Sequence, residues 1–277
     1  MSSIPGLLAL GVLALPGTPR AGAQERLFPA VRSFELPEAS PRVHGMVGRV
    51  ISVRRGDSRF GEEREGEAVV GENLPVVALK RGSRPIILGF GSQVYGRFSL
   101  ADAKSSLISL DWLAGLNTTA WLGAWALTLE LYHESSHLGD EYGERFQISR
   151  LDWTREVLTG WVAYAAGPWR FTAGGSYVFT DELRLPRPAA SFAVDFRGPT
   201  SMERSASLQP VLGIFTEATS ATRWRLSTSA KLGLAMVTPG RSRQIGIALI
   251  AHDGLSTQRQ FFRQESQYLG VELRFDL

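Results

Sequence analysis

The sequence contains no cysteine in its 277 residues, which removes any disulfide framework as a source of stability. It also lacks an apolar run of the roughly eighteen residues that a membrane-spanning helix needs, so a helical membrane protein is excluded. Excess charge of one sign is missing too, since 30 basic and 27 acidic residues leave a formal net charge of +3. No clustered basic face stands out, and nucleic acid is not an expected partner. What remains is a chain with 44% hydrophobic residues and a mean hydropathy of -0.04, compatible with a soluble domain or with a β-barrel. A barrel spreads its lipid-facing residues over alternate positions, so its average hydropathy resembles that of a soluble protein.

The N-terminus narrows the choice. Residues 7–15, LLALGVLAL, form a short apolar core followed by Pro16 and Gly17, and Ala21-Gly22-Ala23 suits cleavage before Gln24. Basic residues are absent from the start, and Arg20 falls after the core. Residues 1–23 therefore read as a signal peptide, and the rest as exported. Residues 24–42, with Pro29, Pro37 and Pro41, read as a periplasmic lead-in to a domain spanning 43–277.

Beyond Arg42 the dominant pattern is alternation with period two, as in strands with one face in an apolar medium and the other in a polar one. In 267–277, Leu269, Val271, Leu273, Phe275 and Leu277 share one face, opposite Tyr268, Gly270, Glu272, Arg274 and Asp276. In 119–133, Trp121, Trp125, Leu127, Leu129 and Leu131 oppose Ala120, Ala124, Ala126, Thr128 and Glu130. In 223–234, Trp224, Leu226, Ala230, Leu232 and Leu234 oppose Arg223, Arg225, Ser227, Ser229 and Lys231. Trp112, Trp121, Trp153, Trp161, Trp169, Phe179 and Phe275 cluster at segment ends, like the aromatic girdles of outer-membrane barrels.

Cutting at turn residues places strands near 43–54, 68–80, 86–98, 105–114, 120–133, 147–165, 169–179, 188–197, 207–217, 224–234, 244–252 and 267–277. The expected fold is all-β: a single antiparallel transmembrane β-barrel of about twelve strands, ten at the fewest, in the outer membrane. With both termini periplasmic, 55–67, 134–146 and 253–266 lie outside, while Arg81–Pro85, Gly115–Thr119 and Ala166–Pro168 are inner turns. Expected partners are outer-membrane lipid, lipopolysaccharide and the barrel-assembly machinery. Arg170, Arg225, Lys231, Glu130, Glu156, Glu272 and Arg274 are expected in the lumen, lining a narrow pore or, given the small barrel, pairing across it.

The densest polar constellation is 132–142, YHESSHLGDEY, which holds two of the four histidines. Continuing the odd-numbered lipid-facing row of 121–131 puts His133 and Ser135 on the barrel exterior. A histidine two residues from a serine on one strand face is the minimum for nucleophilic acyl transfer, with Ser135 as nucleophile and His133 as base. His137 is a further candidate, and Asp152 is the nearest carboxylate, although it and Thr154 are expected on the inner face. Read structurally, the same residues belong to a polar loop bonded to backbone or lipid headgroups. Glu134, Asp140 and Glu141 offer hard oxygen ligands for a divalent cation such as calcium, at a spacing that matches no known calcium loop. No other cofactor is expected.

The pair His133-Glu134-Ser135 resembles the His-x-Ser pair of outer-membrane phospholipase A, and Ser149-Arg150 with Trp153 resembles its next strand. That resemblance implies a twelve-stranded barrel with an exterior lipid-hydrolysing site. The family's orienting Asn is replaced here by Thr154. A second resemblance covers most of the mature chain. Leu131-Tyr132-His133 followed by Ser135-Ser136-His137-Leu138-Gly139-Asp140-Glu141 resembles the hallmark box of a bacterial family of unknown function. Leu27-Phe28-Pro29, Gly96–Leu100 with Leu107–Asp111, Gly167–Arg170 before Gly174-Gly175, and Gln260-Phe261-Phe262 ahead of Tyr268-Leu269-Gly270 extend it. It implies a barrel, with the box as the first place to look. Three functions stay open: a structural or lipid-interacting barrel, a lipid acyl-ester hydrolase, and a narrow channel.

Overall fold

The computed structural model describes residues 25–29, 33–55, 64–81, 84–101, 103–199, 201–202, 207–237 and 244–276. Residues 1–23, read above as a signal peptide, most of the 55–67 segment read as a loop, and Leu277 lie outside them. Among the described residues the chain runs through β1 (Glu25–Leu27), β2 (Gly45–Arg55), β3 (Arg64–Arg81), β4 (Arg84–Ser99), β5 (Leu107–Leu122), β6 (Trp125–Leu138), the helix α1 (Asp140–Phe146), β7 (Trp153–Ala166) and β8 (Trp169–Asp181). It continues through β9 (Pro188–Arg197), β10 (Ser201–Met202), β11 (Ser207–Thr219), β12 (Leu226–Val237), β13 (Gln244–Leu255) and β14 (Glu265–Asp276). β1 and β10 are short additions beside β3 and β11. The other twelve are antiparallel neighbours, and pairing of β14 with β2, from Phe275↔Met46 to Gln267↔Arg55, closes the ring.

Alternation sorts the wall as read from the sequence. On β14, Leu269, Val271, Leu273 and Phe275 are exposed, while Tyr268 and Glu272 are buried. Leu127, Leu129 and Leu131 of β6 and Leu226, Leu232 and Leu234 of β12 join the same exposed belt. A continuous apolar exterior with charges inside is stable with hydrocarbon around it.

Two expectations are corrected. Gly115–Thr119 is not a turn, because β5 runs unbroken through it to Leu122. The chain reverses instead at Gly123 and Ala124, where Leu122 pairs with Trp125 and Gly123 takes φ +65, a left-handed backbone suited to glycine. The second correction concerns β7, which starts only at Trp153. Its buried residues are Trp153, Arg155, Val157, Thr159 and Ala163. Thr154 and Glu156 therefore face outward, opposite to the expected parity, and Trp153 and Trp161 face the interior rather than a girdle. The inward face of β7 is as apolar as its outward face, so alternation alone does not decide it. Register does: Ser135 pairs with Thr154 and His133 with Glu156, and paired residues share a face.

Much of the segment read as a lead-in runs inside the barrel, where Phe34, Glu38, Ala39, Ser40 and Val43 are buried. Glu38 accepts from Lys231 at 3.1 Å and from Arg197 at 2.5 Å, with Arg274 at 3.8 Å. Ala39 packs on Ala193 and Phe215, and Val43 on Val47, Val69 and Tyr95. The wall makes room at Gly213, where a Cβ would come within 2.9 Å of that of Glu38. Beside this plug, Arg49 pairs with Glu67 and, at 2.8 Å, with Glu272, and Lys231 reaches Glu272 at 2.8 Å. Of the expected lumen charges, Lys231, Glu272 and Arg274 join these ion pairs across the interior. Glu130 accepts from Trp161 Nε1, Arg170 donates to the Glu35 carbonyl, Arg225 lies on the rim with Glu265 at 2.7 Å, and Glu156 is not in the lumen at all.

Candidate functional site

The box splits by alternation into an outward and an inward set. Outward on β6, at the end of the apolar row, come His133, Ser135 and His137. Backbone pairing then builds a patch across three strands: Ala114, His133 and Glu156 lie side by side, and one step further from the termini lie Trp112, Ser135 and Thr154. His133 Nδ1 sits 2.7 Å from Glu156 Oε1, with about half of each side chain exposed. A carboxylate there holds the imidazole with Nδ1 protonated and Nε2 free as a base. Ser135 is two residues along the same face, about 6–7 Å in strand rise. No hydrogen bond joins it to His133. Such contacts are often long before substrate is bound. Trp112 is half exposed beside it, its indole N–H donating to Ser92 Oγ at 3.1 Å.

Asp152 also faces out, yet its contact is with Thr154 Oγ1 at 3.5 Å, not with His133. The group that does touch the histidine is Glu156, placed in the lumen by the sequence reading. His137, opposite Leu110, is exposed one step beyond Ser135.

The inward set has a different task. Glu134, fully buried, accepts from Trp153 Nε1 at 3.0 Å and from Arg259 Nε at 2.7 Å, with Arg42 at 3.6 Å. Ser136 Oγ donates to Asp111 at 2.5 Å, and Asp111 also receives Arg42 and the Arg259 backbone N–H. Gln260 Nε2 donates to the carbonyls of Ser136 and Leu151, both at 3.0 Å. Phe261 fills a cluster with Ile108, Leu138 and Tyr142 of α1, while Phe262 lies 5.1 Å from the Trp153 ring. The box thus docks the 256–264 segment over one side of the barrel mouth. Attraction to Glu134 holds the Arg259 guanidinium above its ordinary value despite burial.

The three carboxylates considered for a cation are kept apart. Glu134 is engaged inside, Asp140 is exposed on α1, and Glu141 accepts from Ser106 Oγ at 3.0 Å. Among the described residues no three metal-binding side chains converge.

A family model described as "Protein of unknown function (DUF1207)" matches residues 33–277. The chain belongs to the DUF1207 family. No curated protein matches this DUF1207 sequence. Among solved structures it resembles the outer membrane phospholipase dimer of Salmonella typhi with bound calcium, at TM-score 0.58 and 11% identity, over 87% of this chain and 92% of that one. It also resembles outer membrane phospholipase A from Escherichia coli, at TM-score 0.56 and 12% identity, over 87% and 94% of the two chains. At that identity the likeness is one of fold. For this DUF1207 chain, function rests on the site itself.

Proposed function

We propose that this DUF1207 protein is an outer-membrane barrel, its termini in the periplasm, that hydrolyses lipid acyl esters at its outer face. The observation that carries the reading is the His133–Glu156 contact of 2.7 Å on a lipid-facing wall, with Ser135 next on the same row. A histidine–carboxylate pair next to the apolar belt loses hydration, and its cost is understandable if the pair does chemistry. In the proposed reaction Ser135 Oγ attacks the ester carbonyl carbon and its proton passes to His133 Nε2. The tetrahedral intermediate then expels the alcohol, which takes that proton, and water repeats the sequence to release the fatty acid. Glu156 orients the imidazole and balances its charge. Trp112 would lie along the acyl chain, and Ala114 leaves a recess beside the histidine.

The test is fatty-acid release from phospholipid, and separately from lipid A, by the purified chain in detergent. Ser135→Ala should abolish it; equal release by the variant would remove Ser135 from the mechanism, and no release by the unaltered chain from either substrate would sink the reading. A second reading, a structural or lipid-interacting barrel without catalysis, is favoured by the docking role of Glu134 and Ser136, which explains half of the box without chemistry. The channel reading is weakened by the plug at 33–43.

A further inference from the structure

Between the plug and the end of the barrel away from the termini lies a cavity of about 200 Å³. Leu36 and Arg42 of the plug form its floor, Phe262 roofs one side, and Thr222 and Arg225 stand at its mouth. With the plug beneath it, the cavity is suited to holding a molecule rather than passing one. Its arginines are spent on carboxylates of the chain itself. Arg42 pairs with Asp111 at 2.5 Å, Arg259 with Glu134 at 2.7 Å, Arg225 with Glu265 at 2.7 Å and Arg155 with Asp181 at 3.4 Å. The fifth, Arg187, is exposed and leans outward, its guanidinium 5.9 Å from the ring centre of lipid-facing Tyr177 and donating to that hydroxyl at 3.5 Å.

Two carboxylates are left over. Glu130 and Glu217 line the cavity from inward positions on β6 and β11, and both keep accessible surface toward it. Glu130 receives only neutral donors, Trp161 Nε1 at 3.3 Å and the Asn73 amide. Arg259 lies within electrostatic reach of Glu217 but is bonded to Glu134. Among the described residues no basic side chain forms an ion pair with Glu130 or Glu217. Carboxylates drawn back from bulk water ordinarily have a countercharge, so the uncommitted charge of this cavity is negative and calls for a cation.

The surroundings say which cation. Trp161 bonds to Glu130, and Tyr132 stands two residues along the same face; both rings are partly accessible from the cavity. Aromatic faces beside a carboxylate hold an ammonium by charge and by cation–π attraction, and accept the methylenes attached to it. A metal ion would need more oxygen ligands, and among the described residues no three metal-binding side chains converge. Depth says how many charges. Glu217 lies near the outer end of β11 and Glu130 well down β6, with β9, β8 and β7 between the two strands. A single charge serves one carboxylate; ammonium groups spaced by methylenes serve both. We infer that the cavity binds a linear aliphatic oligoamine, with one ammonium on Glu130 beside Trp161 and Tyr132 and another on Glu217. The site opens at the barrel mouth and stands independently of the lipid-facing one.

The experiment is calorimetric titration of the whole purified chain in detergent with spermidine, and with butylamine as the singly charged counterpart. Saturable binding of spermidine is expected, with butylamine at least about tenfold weaker. Glu130→Gln and Glu217→Gln should each weaken spermidine by at least about tenfold, with folding checked by the heat-dependent gel mobility of the barrel. No saturable binding of spermidine up to about 20 mM would overturn the proposal, as would equal binding of the two amines or unchanged affinity in either folded variant. Displacement of spermidine by an equal concentration of magnesium would also overturn it, since a bare cation would then suffice. Should one variant fail to fold, the other variant and the comparison of the two amines decide the matter.

Discussion

A single histidine contact changes what the outer face of this barrel can do. Without Glu156, His133 and Ser135 are two polar side chains above an apolar row; with it, the imidazole has a fixed tautomer and a free base. On the proposed mechanism, Glu156→Ala should lower kcat for ester hydrolysis by about 10²-fold or more while leaving KM nearly unchanged, since the carboxylate would serve the transition state and not lipid binding. Steady-state kinetics on a chromogenic phospholipid ester would show it. A fall confined to KM would mean that Glu156 acts in lipid contact instead. His133 and Ser135 were legible because Leu127, Leu129 and Leu131 set the parity of β6. Glu156 was not, because Trp153, Val157 and Trp161 give β7 an inward face as apolar as its outward one, and a one-residue error moves every side chain across the wall.

At the level of elements, the box and the 256–264 segment form one unit. Gly139 is where they depend on a missing side chain, since a Cβ there would stand 1.8 Å from the Leu107 carbonyl oxygen. Gly139→Ala should therefore destabilise the junction of β6 and α1 by roughly 1–3 kcal/mol, read as a lower urea midpoint of the folded barrel. Phe261→Ala removes a buried ring from the cluster on Tyr142 and should cost about 3–5 kcal/mol locally. Limited proteolysis would then cut within 256–264 at a protease dose that spares the unaltered chain. The sequence marks both motifs but not their meeting, since more than a hundred residues separate Ser136 from Gln260.

For the whole molecule the plug matters most. Deleting 33–42 should turn a closed barrel into one that conducts in planar bilayers; flat traces from a folded deletion variant would show that the lumen stays shut without it. The plug should also loosen in acid. Burial pushes the Glu38 carboxyl up, but attraction to Lys231, Arg197 and Arg274 outweighs it and holds the group well below the ordinary 4.5. Burial, with Arg274 adding to it, lowers His44 from 6.5 to about 4. In both cases the unfolded chain binds more protons than the folded one, so stability falls as the pH drops. His44 contributes the loss between 6.5 and about 4, and Glu38 the loss that begins as the pH passes below 4.5. Urea midpoints measured from neutral to acid pH should fall through that range, and Glu38→Gln should flatten the lower part.

Period-two patterning was enough to establish a closed antiparallel barrel, the faces of β6, β12 and β14, and the outward placement of His133 and Ser135, because burial in an apolar medium is written into alternate residues. Local pattern carries no information on pairing where both faces are apolar, nor on which distant charges meet. The partner of His133, the entry of 33–43 into the lumen and the docking of Gln260–Phe262 on the box therefore appear only once strand register and ring closure bring residues far apart in the chain within contact.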